Sequence, residues 1–282
     1  MMNIYIPSYN RATTAEMMRG PLTRIPAQWQ GQTFLAVHHG QREVYADVLN
    51  WLGAAVGDVT LIEATPEIAG LPLMRLHCAR HAAETGADRL VMMDDDIDFL
   101  VRRDADSWQL VAQTPDDTDA MFRAIEQMLD VHSMVGISSR EGNNNAGVGP
   151  PLSDNMARVN TRIMRFFGLR TDEMLALEHN RCQLHEDFDL GLQLLRSGRT
   201  NVCLHYWANG QRMTNAPGGC ATYRNQERQT ASAHRLAELH APHVSLRQKV
   251  NKTDRDGMGT RTEVTIAWKM AAREGQERAG AR

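Results

Sequence analysis

Three consecutive aspartates, Asp94, Asp95 and Asp96, follow the apolar run from Leu90 to Met93 in the segment LVMMDDD. Carboxylates this close repel one another, and aspartate is unfavourable in both strands and helices. Either the run is an exposed turn in which water screens the charges, or a cation lies among them. Carboxylate oxygens at the end of a strand suit Mg²⁺ or Mn²⁺ that also binds phosphate oxygens. The aspartates are therefore candidate metal ligands.

Polar groups also follow the first apolar run of the chain, in the segment IYIPSYNRA. Pro7 ends the strand, and Tyr9, Asn10 and Arg11 then offer an aromatic face, an amide and a cation. A nucleotide base could stack on Tyr9 and accept hydrogen bonds here, although the same ring could equally cover the core. The segment is a candidate base-binding site.

Two later segments carry charges at predicted helices. GLPLMRLHCARHA places Arg75 and Arg80 where they could face a nucleotide diphosphate, the alternative being two solvated helix charges. HEDFDLGLQLL places Glu186 and Asp187 in the first helical turn, where the helix dipole keeps carboxylates ionised. An ionised carboxylate that faces a hydroxyl group can act as a general base. The alternative is the ordinary preference of acidic residues for helix starts.

The composition is that of a globular protein, with 282 residues, 42% hydrophobic and 23% charged. No apolar run approaches the roughly 18 residues that a membrane span needs. The start MMNIYIPSYNRA lacks the basic flank and apolar core of a secretion signal. The four cysteines are widely spaced and form no Cys-x-x-Cys pair. These features predict a protein of a reduced, cytoplasmic compartment that does not enter a membrane.

The net charge of −3 is unevenly distributed along the chain. Residues 1–198 contain 17 Lys and Arg against 27 Asp and Glu, which gives −10, and residues 199–282 contain 14 against 7, which gives +7. A basic C-terminal part beside an acidic body suggests contact with a polyanion or a diphosphate. A plain solvated surface explains the excess equally well.

Apolar runs of strand length alternate with segments of helical period through the first half of the chain. This order predicts an α/β fold with a mostly parallel sheet covered by helices. Ligands of such sheets bind at the carboxyl ends of the strands, where both the aspartate run and the PSYNR segment lie. The predicted strands are residues 3–6, 33–39, 59–64, 89–94 and 134–139, and the predicted helices are residues 42–55, 72–86 and 117–130.

The pattern changes after residue 140. Residues 140–155 are rich in Gly, Asn and Pro and predict a long irregular loop, a kind of segment usually retained for function. A helix is expected over residues 185–198, a strand over 201–210 and another helix over 229–240. Residues 259–271 fit a strand or a helix, and the last ten residues are expected to be frayed.

The order of these motifs resembles the nucleotide-sugar glycosyltransferases of the GT-A fold. IPSYNR at the first strand, a strand that ends in DDD, and HEDFDLGLQLL about 90 residues later carry the resemblance, over roughly residues 3–210. In that family the first motif binds the nucleotide base, and an Asp-x-Asp at a strand end holds a divalent metal on the diphosphate. An acidic pair at a later helix start approaches the acceptor.

The resemblance implies a role for each matching residue. It places Asp96 and Asp94 on the metal, Asp94 also near the ribose, and Asp187 as the base with Glu186 beside it. His205 matches a position where many such enzymes supply a third metal ligand, although a lone histidine in an apolar strand is more often a core residue. The implied nucleotide-sugar site comprises Pro7, Tyr9, Arg11, Arg75, Arg80, Asp94 and Asp95.

A closer resemblance is to the phage-type glycosyltransferases associated with TET/JBP dioxygenases, which oxidise 5-methylpyrimidines in DNA. It is carried by the compact length, the GNNN loop, MARVNTRIMRFFG, GGCATYRNQ and the ending GTRTEVTIAWKMA. It implies that the acceptor is 5-hydroxymethylcytosine in DNA, a base that must leave the duplex stack to react. Arg224 and Lys249 would then contact DNA phosphates. A chain with three lysines and an acidic body departs from the strong positive charge of typical DNA-binding proteins.

The resulting hypothesis is a metal-dependent transfer of a sugar from a nucleoside-diphosphate sugar, expected to be a UDP-sugar, to 5-hydroxymethylcytosine. Residues 1–210 would form the GT-A domain, and residues 211–282 a basic extension that packs on it. The loops at 142–149 and 214–224 would shape the acceptor side. The residues leave open whether Asp187 deprotonates the acceptor hydroxyl, with inversion, or merely orients it.

Three alternatives remain at this stage. The same fold could serve a polysaccharide, lipid, protein or small-molecule acceptor. A nucleotidyltransferase would also combine a sheet with paired aspartates and a metal, but would normally show a Gly-rich, basic loop after its first strand. The segment PSYNRATTAE has neither glycine nor lysine. The third alternative is a catalytically inactive module that binds a nucleotide or DNA.

Overall fold

The computed structural model describes residues 1–14, 20–211, 218–250 and 260–281. Within these ranges no helix is long and apolar enough to span a membrane. The strands are β1 Met2–Ser8, β2 Thr33–Val37, β3 Thr60–Glu63, β4 Arg89–Met93, β5 Ile97–Arg102, β6 Leu110–Ala112, β7 Met134–Ser139, β8 Ala157–Val159, β9 Phe166–Arg170, β10 Asn201–Gln211, β11 Val244–Val250 and β12 Thr260–Ile266. The α-helices are α1 Ala27–Gln30, α2 Arg42–Leu52, α3 Leu71–Glu84, α4 Pro115–Met128, α5 Thr171–Ala176, α6 Glu186–Arg196, α7 Gln226–Leu239 and α8 Trp268–Gly280.

A single central sheet contains ten of these strands in the order β3-β2-β1-β4-β9-β7-β10-β5-β6, with β8 beside β10. The first four strands along the sheet are parallel, as the alternation of apolar runs and helices predicts. Strand β9 runs antiparallel between β4 and β7, and β10 is parallel to β7 but antiparallel to β5. The predicted α/β sheet flanked by helices is confirmed, and it is a mixed sheet.

The helices follow from local signals in the sequence. Helix α4 begins with a capping box, in which the Thr114 hydroxyl accepts from the Asp117 N–H and the Asp117 carboxylate accepts from the Thr114 N–H. Helix α2 buries Tyr45 and Val48 against the sheet. Val44, one residue before Tyr45, lies outside this buried stripe and is 42% exposed.

Apolar side chains cover both faces of the sheet. One large cluster includes Ile4, Ile6, Leu35 and Val37 from the parallel strands, and the other includes Tyr5 and neighbouring strand residues that point the opposite way. Strands buried on both faces are the rule in parallel sheets. The strand ends are thereby held in fixed positions.

The C-terminal elements share a third apolar cluster with helix α6. Leu192 of α6 packs with Leu236 of α7, Val244 of β11 and Ala271 of α8. Strands β11 and β12 form a separate antiparallel pair. The expectation that the last ten residues are frayed is wrong for most of them, because α8 continues to Gly280 and packs closely on α6.

Four strands of the central sheet were not predicted, namely β5, β6, β8 and β9. Strand β5 begins directly after the aspartate run and pairs with β10, and β9 begins inside the segment RIMRFFG and continues to Arg170. The irregular loop predicted after residue 140 begins as the 3₁₀ helix Arg140–Asn145 and continues as turns to β8.

Candidate functional site

A cavity of about 590 Å³ lies at the carboxyl ends of β1, β2 and β4. Parallel strands place these ends at one edge of the sheet, where ligands of such folds bind. The residues that follow each strand form its walls together with a segment from the C-terminal part. The lining includes Pro7, Ser8, Tyr9, Arg11, His38, His39, Ile68, Gly70, Leu71, Asp94, Asp95, Asp96, Gln211, Cys220, Tyr223, Arg224 and Arg228.

Asp95 ties the aspartate turn to the end of β1. Its Oδ2 accepts a hydrogen bond from the Ser8 hydroxyl at 2.5 Å, and its Oδ1 lies 2.6 Å from Nη1 of Arg11. The Tyr45 hydroxyl contacts Oγ of Ser8 at 2.7 Å and accepts from the Arg11 N–H at 3.0 Å. Burial raises the pKa of Asp95, and the Arg11 charge opposes that rise. Asp95 is thus a structural partner of Arg11.

Asp96 has one fixed oxygen and one oxygen without a donor. Its Oδ2 lies 2.8 Å from Nη1 of Arg11 and accepts from Nε2 of Gln211 at 2.8 Å. Its Oδ1 is buried and has no hydrogen-bond partner in the described part of the chain. A buried carboxylate oxygen that has lost water without gaining a donor is costly, so it indicates a missing partner.

Asp94 lies at the lip of the cavity and connects to the acidic helix start through Arg75. The Asp94 N–H donates to the carbonyl of Arg165 at 2.9 Å, and its Oδ1 lies 3.4 Å from Nη2 of Arg75. The same Nη2 lies 3.1 Å from Oε1 of Glu186. Arg75 is only 2% exposed, and its guanidinium sits 4.6 Å from the ring centre of Phe167. One buried cation therefore bridges the two predicted carboxylate sites.

Asp94, Glu186 and Asp187 form an electrostatically connected group. Burial raises the pKa of all three carboxyl groups, and the charge of Asp187 raises the pKa of the other two further. The Arg75 charge lowers the pKa of each. A carboxylate with a raised pKa is a stronger base, so Asp187 at the start of α6 is suited to accept a proton.

A segment from the C-terminal part closes the cavity over β1. We call residues 218–224 the strap. The Gly219 N–H donates to the Tyr9 carbonyl at 2.7 Å. Gly218 has a φ of +89°, and a Cβ on it would lie 2.6 Å from the carbonyl oxygen of Asn10 and 2.5 Å from Cγ of Arg11. Only glycine fits this close approach. Residues 214–217 of the loop predicted at 214–224 lie outside the described residues.

The sequence profile of the TET-associated glycosyltransferases matches residues 2–219, a range that contains β1, the aspartate run, α6 and the start of the strap. The chain belongs to this family. Among curated proteins, none matches the sequence significantly.

Solved structures similar to this TET-associated glycosyltransferase show the GT-A fold. TarS 1–349 from S. aureus, solved with UDP-GlcNAc, has 11% identity and a TM-score of 0.50, covering 83% of this chain and 66% of its own. The mannosyltransferase PcManGT from Pyrobaculum calidifontis, solved with GDP-Man and Mn²⁺, has 12% identity and a TM-score of 0.52, covering 84% and 63%. The chain thus spans about two thirds of the length of these structures. At such identities the likeness establishes the fold alone.

Most of the predicted site residues come together in this glycosyltransferase. Pro7, Tyr9, Arg11 and the three aspartates line the cavity, and so does Arg224 of the strap. The Tyr9 ring contacts His38 edge-on, with the ring centres 4.7 Å apart. Glu186 and Asp187 begin α6 as predicted, and Arg75 links Glu186 to Asp94.

Arg11 and Arg80 differ from their predicted placements. Arg11 is 5% exposed and pairs with Asp95 and Asp96, so its charge is directed at the aspartates rather than at a base. Arg80 lies on the exposed face of α3 and is not part of the cavity lining. The reason is helical spacing, because Arg75 faces the sheet and a residue five positions later has turned away from it.

His205 and Lys249 also lie elsewhere. His205 lies on β10 six positions before Gln211, the residue that contacts Asp96, within the irregularity of β10 between Leu204 and Ala208. In the described residues it belongs to no group of three His, Cys, Asp or Glu side chains that could hold a metal ion. Its Nδ1 contacts the carbonyl of Cys203 at 3.1 Å. The structure therefore does not bring His205 to the aspartates. Lys249 lies on β11, with its Nζ 3.1 Å from Oε1 of Glu263.

Several cavity residues were missed by sequence reasoning. His38 follows β2, Ile68 and Gly70 precede α3, and Cys220 and Tyr223 belong to the strap. The prediction that ligands bind at strand ends could have identified His38, because it lies at the carboxyl end of the strand predicted over residues 33–39. The strap residues carry no comparable signal, since their position depends on the hydrogen bond between Gly219 and Tyr9, two residues far apart in the sequence.

The aspartates fit a metal that is shared with a diphosphate. In the described ranges, no group of three His, Cys, Asp or Glu side chains could hold a metal ion by itself. Mg²⁺ and Mn²⁺ in nucleotide sites are typically bound by one or two carboxylates plus substrate phosphates. Asp96, with its unpartnered Oδ1, and Asp94 at the lip provide such a pair.

Proposed function

We propose that this TET-associated glycosyltransferase transfers a sugar from a nucleoside-diphosphate sugar, most simply a UDP-sugar, to 5-hydroxymethylcytosine in DNA. The observation that carries the proposal is the buried, unpartnered Oδ1 of Asp96 at the donor cavity. The family match supports sugar transfer, and the association with TET enzymes in the family name supports a hydroxymethylated base as acceptor.

The donor nucleotide is proposed to occupy the cavity. Tyr9 and Pro7 offer a ring face and an apolar edge to the base, and His38 supports the Tyr9 ring from behind. Asp94 lies where the ribose or the diphosphate would enter. Arg75 keeps Asp94 and Glu186 in fixed positions through one guanidinium nitrogen. Buried ion pairs of this kind fix the relative positions of side chains more than they increase the free energy of unfolding.

Asp94 and Asp96 are proposed to hold Mn²⁺ or Mg²⁺. A divalent ion bound there supplies positive charge to the departing diphosphate. Arg11 does not compete for Oδ1 of Asp96, because it occupies Oδ2 together with Gln211. The protein thus presents one carboxylate oxygen while keeping the other fixed.

Asp187 is proposed to act on the acceptor hydroxyl. Its raised pKa makes it a better proton acceptor than an exposed aspartate. It sits beside Glu186, whose carboxylate is engaged by Arg75, so the two acidic residues have different tasks. Glu186 positions the group, and Asp187 accepts or orients the hydroxyl proton.

The division of labour along the chain is part of the proposal. Residues 1–210 carry the aspartates, the base-binding segment and α6, and residues 211–282 form an extension that packs on them. The strap belongs to this extension and contributes a wall of the donor cavity.

The decisive experiment combines the purified protein with Mn²⁺, a panel of nucleotide sugars, and DNA that contains cytosine or 5-hydroxymethylcytosine. Nucleoside mass spectrometry should show a hexose or N-acetylhexosamine added only to the hydroxymethylated base. Asp96→Asn preserves the shape of the side chain and should lower transfer by about 100-fold or more at saturating metal. Asp98→Asn, a change of the same type two residues later, is the matched control. Transfer that survives Asp96→Asn would refute the metal site, and sugar on unmodified cytosine would refute the acceptor.

A further inference from the structure

Three exposed arginines border the loop that follows β7. Arg140 begins the 3₁₀ helix of this loop, and Arg158 on β8 donates to the carbonyl of Asn145. Nη2 of Arg162 lies 3.9 Å from where a Cβ on Gly142 would be. All three side chains are exposed. We call Arg140, Arg158 and Arg162 the arginine rim.

The rim differs from the basic C-terminal part in how its charges are used. None of its three arginines forms an ion pair with a carboxylate of the described residues, whereas Arg247, Lys249 and Arg261 all converge on Glu263. Paired cations present little net field to a polyanion, because the acid cancels part of each charge. The charges of the rim are therefore available to a polyanion, although the rim lies in the acidic body of the chain.

The rim lies next to the proposed acceptor side of the site. Arg162 lies three positions before Arg165, and the charges of both arginines lower the pKa of Asp187. Arg165 also holds the Asp94 N–H through its carbonyl. A polyanion bound along the rim would thus pass beside the candidate base.

Hydrogen bonds to buried residues hold the loop that carries part of the rim in a fixed position. Nδ2 of Asn143 donates to Oγ of Ser138 and to the carbonyl of His205, both at 2.7 Å. The buried Arg102 donates to the Asn143 carbonyl at 2.9 Å. A site on such a supported loop presents its charges without first paying the entropy of ordering.

An exposed aromatic ring stands beside the same loop. Trp108 is 55% exposed, and its Nε1 donates to the carbonyl of Ala146 at 3.2 Å. Arginines interleaved with an exposed aromatic side chain are characteristic of surfaces that bind nucleic acids. Residues 140–165 contain four Arg against Glu141 and Asp154, which gives +2 within a body of −10.

We propose that the arginine rim binds backbone phosphates of the acceptor DNA, with Trp108 offering a stacking face for an unpaired base. This inference rests on the proposed function and assigns its DNA contacts to the segment between β7 and β9. The strap and the tail then serve the donor side and the fold. Bound in this way, the DNA backbone is anchored next to Asp187, where the hydroxymethyl group must arrive.

The test compares Arg158→Gln/Arg162→Gln with Arg235→Gln/Arg273→Gln, a control that removes the same charge from cations paired along helices α7 and α8. DNA affinity is measured by fluorescence anisotropy over a salt series, with an oligonucleotide that contains 5-hydroxymethylcytosine. Two lost phosphate contacts should weaken binding roughly 10- to 60-fold at 0.1 M salt and reduce the salt slope by about 1.8 on duplex or about 1.4 on single-stranded DNA.

The outcomes separate the two proposals. Calorimetric binding of UDP by the rim variant should match the wild type and verify that its fold is intact. If wild-type protein binds and modifies the DNA while the rim variant keeps the wild-type salt slope, the rim assignment is overturned. A wild-type protein that neither binds DNA nor modifies 5-hydroxymethylcytosine, yet turns over a nucleotide sugar, overturns the DNA acceptor itself.

Discussion

The packing of α8 on α6 leaves no room for a side chain at Gly275. A Cβ on this residue would lie 2.0 Å from the carbonyl oxygen of Leu195 and 2.9 Å from the carbonyl carbon of Arg196. Both atoms belong to the backbone of α6 or its end, so no side-chain rotation relieves the overlap. Gly275→Ala therefore requires the two helices to separate.

The size of the effect follows from that separation. An ordinary contact distance is at least 3.4 Å, so the Leu195 oxygen and the new methyl group must move apart by 1.4 Å or more. Overpacking costs about 1–3 kcal/mol and more where backbone must shift. The gain in helix propensity from Gly to Ala offsets at most about 1 kcal/mol of this. For a chain of this size a net loss near 2 kcal/mol lowers the midpoint of thermal unfolding by roughly 4–8 °C.

Circular dichroism during heating measures this change directly. Gly280→Ala, in the same helix, is the matched control, because its Cβ would meet nothing within 4 Å. The control should melt within about 1 °C of the wild type. A Gly275→Ala protein as stable as the control would show that α8 does not pack on α6 as described. Because α6 begins with Glu186 and Asp187, the destabilised variant should also lose activity before it unfolds.

Two further predictions concern the strap and the environment of α6. Gly218→Ala places a methyl group against the Asn10 carbonyl and should weaken UDP binding, measured by calorimetry, roughly 5- to 150-fold. The control Gly31→Ala should bind UDP like the wild type, because its Cβ would meet nothing within 4 Å. Burial and the nearby Arg224 charge lower the pKa of His185 to about 4. As the pH drops from about 6.5 toward 4, the unfolded chain therefore binds a proton at His185 that the folded protein does not bind, and the melting midpoint should fall. His185→Gln should reduce that fall in melting midpoint. The control His234→Gln, on the exposed face of α7, should leave the fall unchanged. A His185→Gln protein with the wild-type pH profile would contradict the burial argument.

The parallel part of the fold was predictable because its signals are local. Short apolar runs define β1 to β4, and the segments of helical period after β2 and β3 define α2 and α3, without reference to the rest of the chain. The meeting of Tyr9 and the aspartates follows from strand direction alone. The antiparallel strand β9 escaped prediction because its partners, β4 and β7, are not adjacent to it in sequence. Strand β5 pairs with the short β6 nearby, but its longer pairing is with β10, far along the chain.

The partners within the site were less predictable than its position. That Arg11 would neutralise Asp95 and Asp96 depends on how far its side chain reaches across the sheet edge, which no spacing reveals. His205 lies on a correctly predicted strand, yet its distance from Asp96 depends on the register between β10 and β5. The residue types therefore indicated a metal and nucleotide site, and the three-dimensional pairing of strands and side chains decided which residues meet there.

The strap has a consequence for the order in which this protein becomes functional during synthesis. Tyr9 and Arg11 are translated more than 200 residues before Gly218 and Gly219, whose backbone covers them. A nascent chain that ends at residue 210 already contains all three aspartates and α6, yet its nucleotide cavity lacks a wall. Binding of a nucleotide in this cavity, as proposed above, would therefore stabilise only chains that have been translated past the strap.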